Sequence, residues 1–347
     1  MSLPWLNQVL NYWILSMNQI GLVTIGRNEG QQLRQCLLSA KRSVAQIVYV
    51  DSGSTDGSAE LARSLGADVV ELDLSTPFTA ARARNAGFAH LLKVDAQIKF
   101  VQFVDGDCEV VEGWLDRAQH ELNAQPNVAI VCGRRRERFP DKSIYNRLCD
   151  MEWDTPVGEA KACGGDAMMR VEAFQQVSGF NPTLIAGEEP ELCVRLRQQG
   201  WKILRLDAEM TLHDAQMTSF AQRWKRAMRA GHAYAEGAWL HGREPERHWV
   251  KESRSIWFWG LLLPLVALGM AWSTKGFSLL LLVGYLVLGG RIFVNLRRQN
   301  ISHEHAAFYA LSCILDKFAQ AGGALRFLRT QLLGTKSMLI EYKNQCN

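Results

Sequence analysis

Four short, largely apolar runs occupy the first third of the chain: Ile20–Ile25, Ile47–Val50, Val69–Leu72 and Phe100–Val104. The segments between them have helical spacing, with Leu33, Cys36, Leu37 and Ala40 on one face and Leu61 and Leu65 on another. Strands that are apolar on both sides must be covered on both sides, and regular alternation with helices makes such strands parallel. The expected fold class is therefore α/β, a mainly parallel sheet with helices on both faces. In sheets of this kind ligands bind beyond the carboxyl ends of the strands. The polar residues at those ends are the candidates for chemistry.

A second constraint lies further along. Ser255–Thr274 is twenty residues without a charge and Gly276–Gly290 is fifteen more, with only Lys275 between them. Twenty helical residues cover about 30 Å, the thickness of a bilayer core. The second stretch spans if Arg291 snorkels and Ile292–Leu296 completes it. Trp257, Trp259 and Trp272 stand where an aromatic belt would, and Arg291, Arg297 and Arg298 flank one end against Lys275 at the other. The expectation is a C-terminal transmembrane helical hairpin (about 255–274 and 276–296) in an inner or plasma membrane, multi-pass, with the large ends cytosolic. A buried hairpin in a soluble domain is the alternative. Ala306–Leu333 is apolar but interrupted by Asp316, Lys317, Arg326 and Arg329, which suits an amphipathic tail lying on the membrane.

The chain thus divides into an N-terminal extension (1–18), an α/β domain (19–245) and a membrane region (246–347). The extension lacks the basic start and cleavage site of a signal peptide. It reads as an interfacial helix through Trp5, Leu6, Val9, Leu10, Trp13 and Ile14, or as residues preceding a true start at Met17. With 39 basic residues against 35 acidic, the charge is too even for nucleic acid to be the main partner. Eight scattered cysteines with no C-x-x-C read as reduced thiols, not as a disulfide or zinc framework.

Four features sit at the expected strand and helix ends. Asp105-Gly106-Asp107 follows the Phe100–Val104 run. Two carboxylates one residue apart can share a divalent cation, and hard oxygen ligands suit Mn²⁺ or Mg²⁺. A plain surface turn would read the same way. Asp51 ends the second run and can accept hydrogen bonds from a base or ribose, while Ser54 or Asp56 caps the next helix. The first run ends in Thr24 through Glu29 without G-x-G-x-x-G, which argues against a dinucleotide site. Finally, Gly187-Glu188-Glu189-Pro190-Glu191 places three carboxylates at a helix start, more than capping needs.

Arg27-Asn28-Glu29, Val50-Asp51-Ser52-Gly53-Ser54-Thr55-Asp56-Gly57, Ala83-Arg84-Asn85-Ala86-Gly87, Asp105-Gly106-Asp107, Gly164-Gly165-Asp166-Ala167 with Gly179-Phe180, and Gly187–Leu192 follow one another in order. On these residues the chain resembles a family 2 glycosyltransferase of the Rossmann-like GT-A fold, over roughly residues 19–240. The resemblance implies transfer of a sugar from a nucleotide-sugar donor to an acceptor hydroxyl with inversion. It implies a sugar or lipid-linked acceptor and a Mn²⁺ or Mg²⁺ cofactor. By position, Thr24, Arg27, Asn28, Glu29, Asp51, Arg84 and Asp105 would meet the donor, although a structural salt bridge is the other reading of Arg84. Asp107, with Asp105 and His213, would hold the metal. Glu189 would be the general base, with Glu188 and Glu191 as rivals. The family usually carries Glu-Asp where this chain has Glu188-Glu189. Gln222-Arg223-Trp224 lacks the Q-x-x-R-W spacing of processive synthases, so a single transfer is expected. A catalytically silent sugar-nucleotide-binding protein and another nucleotide-dependent enzyme on such a sheet are the alternatives.

Overall fold

The apolar runs become strands, buried on both faces except in the third, which is half-buried. In the computed structural model, which describes residues 19–335 and 339–340, they form β1 Ile20–Gly26, β2 Gln46–Asp51, β3 Asp68–Glu71 and β4 Phe100–Asp105. The helices α1 Gly30–Ala40, α2 Ser58–Ser64 and α3 Ala80–Val94 connect them. The expected interfacial helix of residues 1–18 and Cys346 lie outside the described residues; the seven described cysteines are free thiols. The four strands are parallel in the order β3-β2-β1-β4. The chain winds outward from β1 and then returns to its other side, so a crevice opens where β1 and β4 end. Ile25 lies beside Asp105 at that point.

Close packing aims the first functional helix. A Cβ on Gly87 of α3 would come within 2.5 Å of Val23 and 2.8 Å of Val50, so only glycine lets the helix settle on β1 and β2. One turn earlier, Arg84 is thereby carried over the strand ends. Phe180 packs edge-on to Phe103 at 5.4 Å and supports the Arg84 guanidinium, whose carbon is 5.7 Å from its ring centre.

The α/β class holds, and beyond β4 the sheet gains antiparallel pairs. The next elements are β5 Cys108–Val110, α4 Trp114–Ala124, β6 Val128–Glu137, α5 Ile144–Glu152, β7 Gly158–Glu159, β8 Ala167–Arg170, α6 Val171–Gln176, α7 Glu188–Gln198 and β9 Lys202–His213. β8 runs antiparallel to both β4 and β6 and satisfies the facing backbone groups of each. β9 is parallel to β6 and antiparallel to β5 and β7.

The C-terminal region departs from the hairpin expectation. After α8 Phe220–His241 come α9 Val250–Trp257, a wide turn at Phe258–Leu262, and α10 Leu263–Gly269. The helical path stops there, and the Ser273 and Thr274 hydroxyls donate to the Met270 carbonyl within the following turn. The expected first span, 255–274, is therefore not a single helix. Among the described residues only Phe277–Arg298 is long and apolar enough to cross a membrane, with a mean hydropathy of 2.1 and 6% of its apolar window buried. Two crossings are not supported. Most of that helix is α11 Val283–Arg298, and the Tyr285 hydroxyl donates to the Trp259 carbonyl beside it.

The tail does not lie free on a surface. It forms α12 His303–Leu333, docked along α8. A Cβ on Gly323 would meet the Met228 carbonyl oxygen at 1.9 Å, and one on Gly231 would meet that of Gln320 at 2.0 Å. Arg223 pairs with Glu152 at 2.9 Å and with Asp316 of the tail. The tail charges that interrupt its apolar pattern thus include a domain contact. Gly323→Ala should force the helices apart and cost about 1–3 kcal/mol. Gly322→Ala, which meets only the tip of Met228 at 3.9 Å, should be neutral or slightly stabilising. Urea unfolding of the two variants in detergent checks this, and equal midpoints would refute it.

Candidate active site

Two arginines organise the carboxylates at the crevice. Asp105, at the end of β4, accepts from Arg84 Nη2 at 2.8 Å and lies 3.4 Å from Arg135 Nη2. Arg84 is buried and also donates to Glu188 Oε1 at 2.8 Å, with Glu189 Oε1 3.7 Å away. Arg135, on β6, donates from Nε to Asp166 Oδ2 at 3.0 Å. Asp166 also accepts the Thr211 hydroxyl at 2.7 Å and the Asp105 amide at 3.1 Å. Buried carboxylates demand such partners. Arg135→Gln would strand Asp166, which is fully enclosed, and should cost about 3–5 kcal/mol. A urea midpoint equal to wild type would show that Asp166 does not depend on this pair.

The three carboxylates at the start of α7 diverge. Glu188 faces Arg84. Glu191 is matched by Arg195 at 2.7 Å and His241 at 3.0 Å, away from Arg84. Glu189 keeps 15% of its side chain exposed and meets Arg84 only at 3.7 Å. Its carboxyl is raised to about 7, first by burial and then by the Glu188 charge, with Arg84 opposing both. A carboxyl poised there can take a proton near neutral pH.

On the other side of Asp105, buried Asp107 brings Oδ2 to 3.1 Å from His213 Nε2. The imidazole is lowered to about 4, by burial first and then by Arg135, so it is neutral at pH 7. Its buried Nδ1 has no hydrogen-bond partner. A neutral ring nitrogen beside a carboxylate oxygen is a donor pair for a divalent cation, since ligands about 2.1 Å from one ion stand roughly 3 Å apart. Asp107, Cys108 and His213 offer ligand atoms within 4.8 Å of one another. Burial pushes the Cys108 thiol far up, so it stays protonated and is a poor ligand for a hard cation. The residues fit Mn²⁺ or Mg²⁺ through Asp107 and His213. Asp105 is engaged by the two guanidinium groups.

The first two strand ends are tied together. Asp51 accepts the amides of Gly53 at 2.9 Å and Ser54 at 2.8 Å and the Tyr49 hydroxyl at 3.0 Å, so it shapes its own turn. Asn28, at φ 58°, donates its amide to Ser54 Oγ at 2.9 Å and accepts the Thr55 amide at 2.7 Å. The Gly30 amide reaches Ser58 Oγ at 3.1 Å, and Asp56 caps α2 through the Ser58 amide at 3.0 Å. Glu29 lies along Gly26 and Gly106, and Arg27 is exposed. Thr24 is fully enclosed, with its hydroxyl 3.6 Å from Cys36 Sγ.

Of the expected residues, the structure gathers Arg84, Asp105, Glu188 and Glu189 into one cluster and Asp107 and His213 into its neighbour. Thr24 and Glu191 stand apart. Arg135 and Trp153 are additions; Trp153 packs edge-on to His213 at 5.0 Å, and the Arg135 guanidinium lies 5.6 Å from its ring centre. The run Arg134-Arg135-Arg136 was the available signal for the first. Asp166 stood in the Gly-Gly-Asp motif without an assigned role.

Residues 22–177 match the family model described as Glycosyl transferase family 2. That region belongs to glycosyl transferase family 2. A second model, described as N-terminal domain of galactosyltransferase, matches residues 148–219 and takes in Asp166, Glu188, Glu189 and His213. The Succinoglycan biosynthesis protein ExoA of Rhizobium meliloti is 28% identical over 47% of this chain and 52% of its own length. Glycosyltransferase AglE of Haloferax volcanii is 23% identical over 59% of this chain and 69% of its own. The chain thus spans about half the length of the first of these relatives. The Mannosyltransferase PcManGT from Pyrobaculum calidifontis, solved in complex with GDP-Man and Mn²⁺, shares the fold, with a TM-score of 0.57. The two are 16% identical over 89% of this chain and 87% of that one.

Proposed function

We propose that this family 2 glycosyl transferase moves a hexose from a nucleotide-sugar donor to an acceptor hydroxyl, with inversion, in the synthesis of a glycan, polysaccharide or glycolipid at a membrane face. The observation that carries this reading is geometric: Arg84 gathers Asp105, Glu188 and Glu189, and two residues beyond Asp105 the Asp107 carboxylate stands 3.1 Å from the His213 imidazole. The named activities of the relatives agree with it: one serves succinoglycan biosynthesis and one is a mannosyltransferase bound to GDP-Man and Mn²⁺. The apolar Phe277–Arg298 helix supports a membrane seat.

In this mechanism Glu189 takes the acceptor hydroxyl's proton on a carboxylate oxygen as that hydroxyl attacks the anomeric carbon from the side opposite the leaving group. One base suffices for inversion, unlike the flanking pair of carboxylates in glycoside hydrolysis. Asp107 and His213 would hold a Mn²⁺ or Mg²⁺, which would supply positive charge against the negative charge developing on the departing diphosphate. Arg84, bonded at once to Asp105 and Glu188, fixes the distance between the donor and acceptor sides.

A panel of nucleotide sugars incubated with Mn²⁺ and a membrane lipid-and-glycan extract tests the reading. Transfer of labelled sugar from one donor, with inverted anomeric configuration in the product, is the expected result. Binding of a donor with no turnover on any fraction would favour the catalytically silent alternative, and a retained configuration would remove the single-base mechanism.

A further inference from the structure

The helix that begins with Glu188 and Glu189 is strapped down by a segment that none of the chemistry above uses. The segment runs from His241, the last residue of α8, to Trp249, just before α9. It meets α7 at three levels. Trp249 covers Gly187, His241 Nε2 stands 3.0 Å from Glu191 Oε1, and Glu246 pairs with Arg197 at 2.7 Å. From Gly187 to Arg197 the strap follows the helix for about 15 Å.

The end nearest Glu189 is the most tightly built. A Cβ on Gly187 would fall 2.9 Å from the Trp249 indole and 3.3 Å from Ala233 Cβ. One on Gly237 of α8 would fall 2.4 Å from the same indole. The indole therefore lies in a slot with a glycine on each wall, and neither wall leaves room for a side chain. His248 stacks on the ring at 4.2 Å, and Tyr234 meets it edge-on at 5.0 Å. Trp249 itself has φ 53°, a left-handed backbone that a bulky residue adopts only where its surroundings dictate it. Gly187, at φ 82°, is the turn that Glu188 and Glu189 directly follow. A ring wedged behind that turn fixes where the first turn of α7 begins.

We propose that Trp249 is a positioning residue: by filling the slot behind Gly187 it holds Glu189 at the acceptor hydroxyl and closes the start of α7 to water. The proposal rests on the transferase reading, in which Glu189 is the base. The charged groups that face Glu189 are Glu188 of its own helix, Arg84 of α3, Asp105 of β4 and Arg135 of β6. The strap's Glu246 and His241 meet Arg197 and Glu191 instead, so the strap acts on Glu189 through packing. Burial is the largest cause of the raised Glu189 carboxyl, so emptying the slot should move its titration down toward the ordinary glutamate range.

The test uses the full chain in detergent micelles and takes two readings on each variant. One is the acidic limb of turnover. The other is the pH midpoint at which Glu189 couples to glycinamide through a water-soluble carbodiimide, scored by peptide mass, which needs no substrate. Trp249→Ala should lower kcat by about 10–10²-fold, the scale of a small misplacement of a reacting group, and leave donor affinity unchanged. Both midpoints should move down by about one pH unit or more. Trp249→Phe, which returns a ring to the slot, should recover most of the rate and of the shift. Glu246→Gln, which frees the distal end of the strap, should leave both midpoints in place. Unmoved midpoints in Trp249→Ala, or an equal shift in Glu246→Gln, would reduce Trp249 to a fold contact and overturn the proposal. Should Trp249→Ala fail to fold, Trp249→Leu takes its place with the same expectation. A wild-type protein without turnover on any acceptor fraction would remove the transferase reading and this role with it, whereas turnover with an unmoved limb in the variant removes the positioning role alone.

Discussion

Replacing Glu189 by glutamine should lower turnover by about 10²–10⁴ while donor affinity barely changes, because the variant keeps size and hydrogen bonding but cannot accept a proton. The wild-type enzyme should carry a pH signature of the same group. A general base works only when deprotonated, and burial together with Glu188 raises this carboxyl to about 7. Rate should therefore fall as pH drops through about 7, well above the range of an ordinary glutamate, and the Gln variant should lose that acidic limb. Glu191→Gln should behave differently. Its side chain is held by Arg195 and His241, so the change should weaken the fold and leave the limb in place. If Glu188→Gln or Glu191→Gln flattens the profile instead, the base has been assigned to the wrong carboxylate.

Asp107→Asn should cost a further large factor, about 10²–10³ in turnover, the scale of losing one electrostatic contact to developing charge. The change removes the carboxylate oxygen that lies 3.1 Å from His213 Nε2, leaving a neutral amide beside a neutral ring. Nucleoside diphosphate binding in the variant should no longer respond to added Mn²⁺. Treatment of the wild-type protein with EDTA should abolish turnover, and re-addition of Mn²⁺ should restore it. Full turnover in EDTA would remove the cation from the mechanism.

The first half of the molecule was legible because β1, β2 and β4 are buried on both faces and end in polar turns. β1, β2 and β4 fall within about a residue of the apolar runs, and the DGD turn falls where β4 stops. The later strands were not legible. β9 is twelve residues long, but its register with β6 shifts three times, which breaks the period of two that a strand shows in sequence. The carboxylate cluster could be named in part, since Glu188 and Glu189 share a helix start. Which of them takes the short bond depends on Arg84, more than a hundred residues away in sequence. The C-terminal region misled for another reason. An uncharged stretch measures hydropathy alone, whereas the helix there ends where Met270 collects hydroxyl donors from Ser273 and Thr274. The tail's charges read as interruptions of an apolar face, and in the fold Asp316 pairs with Arg223 of α8 while Gly323 lets the two helices touch.

The bonds from Asn28 to Ser54 and Thr55, and from Gly30 to Ser58, have a consequence for how the first two strand ends change over time. A substitution at either end alters the backbone path of the other, because each supplies acceptors for the other's amides. The pair is therefore one structural part. A graft of the 26–30 turn from a relative of different donor preference into this chain should fail alone and succeed only when the 52–58 turn comes with it.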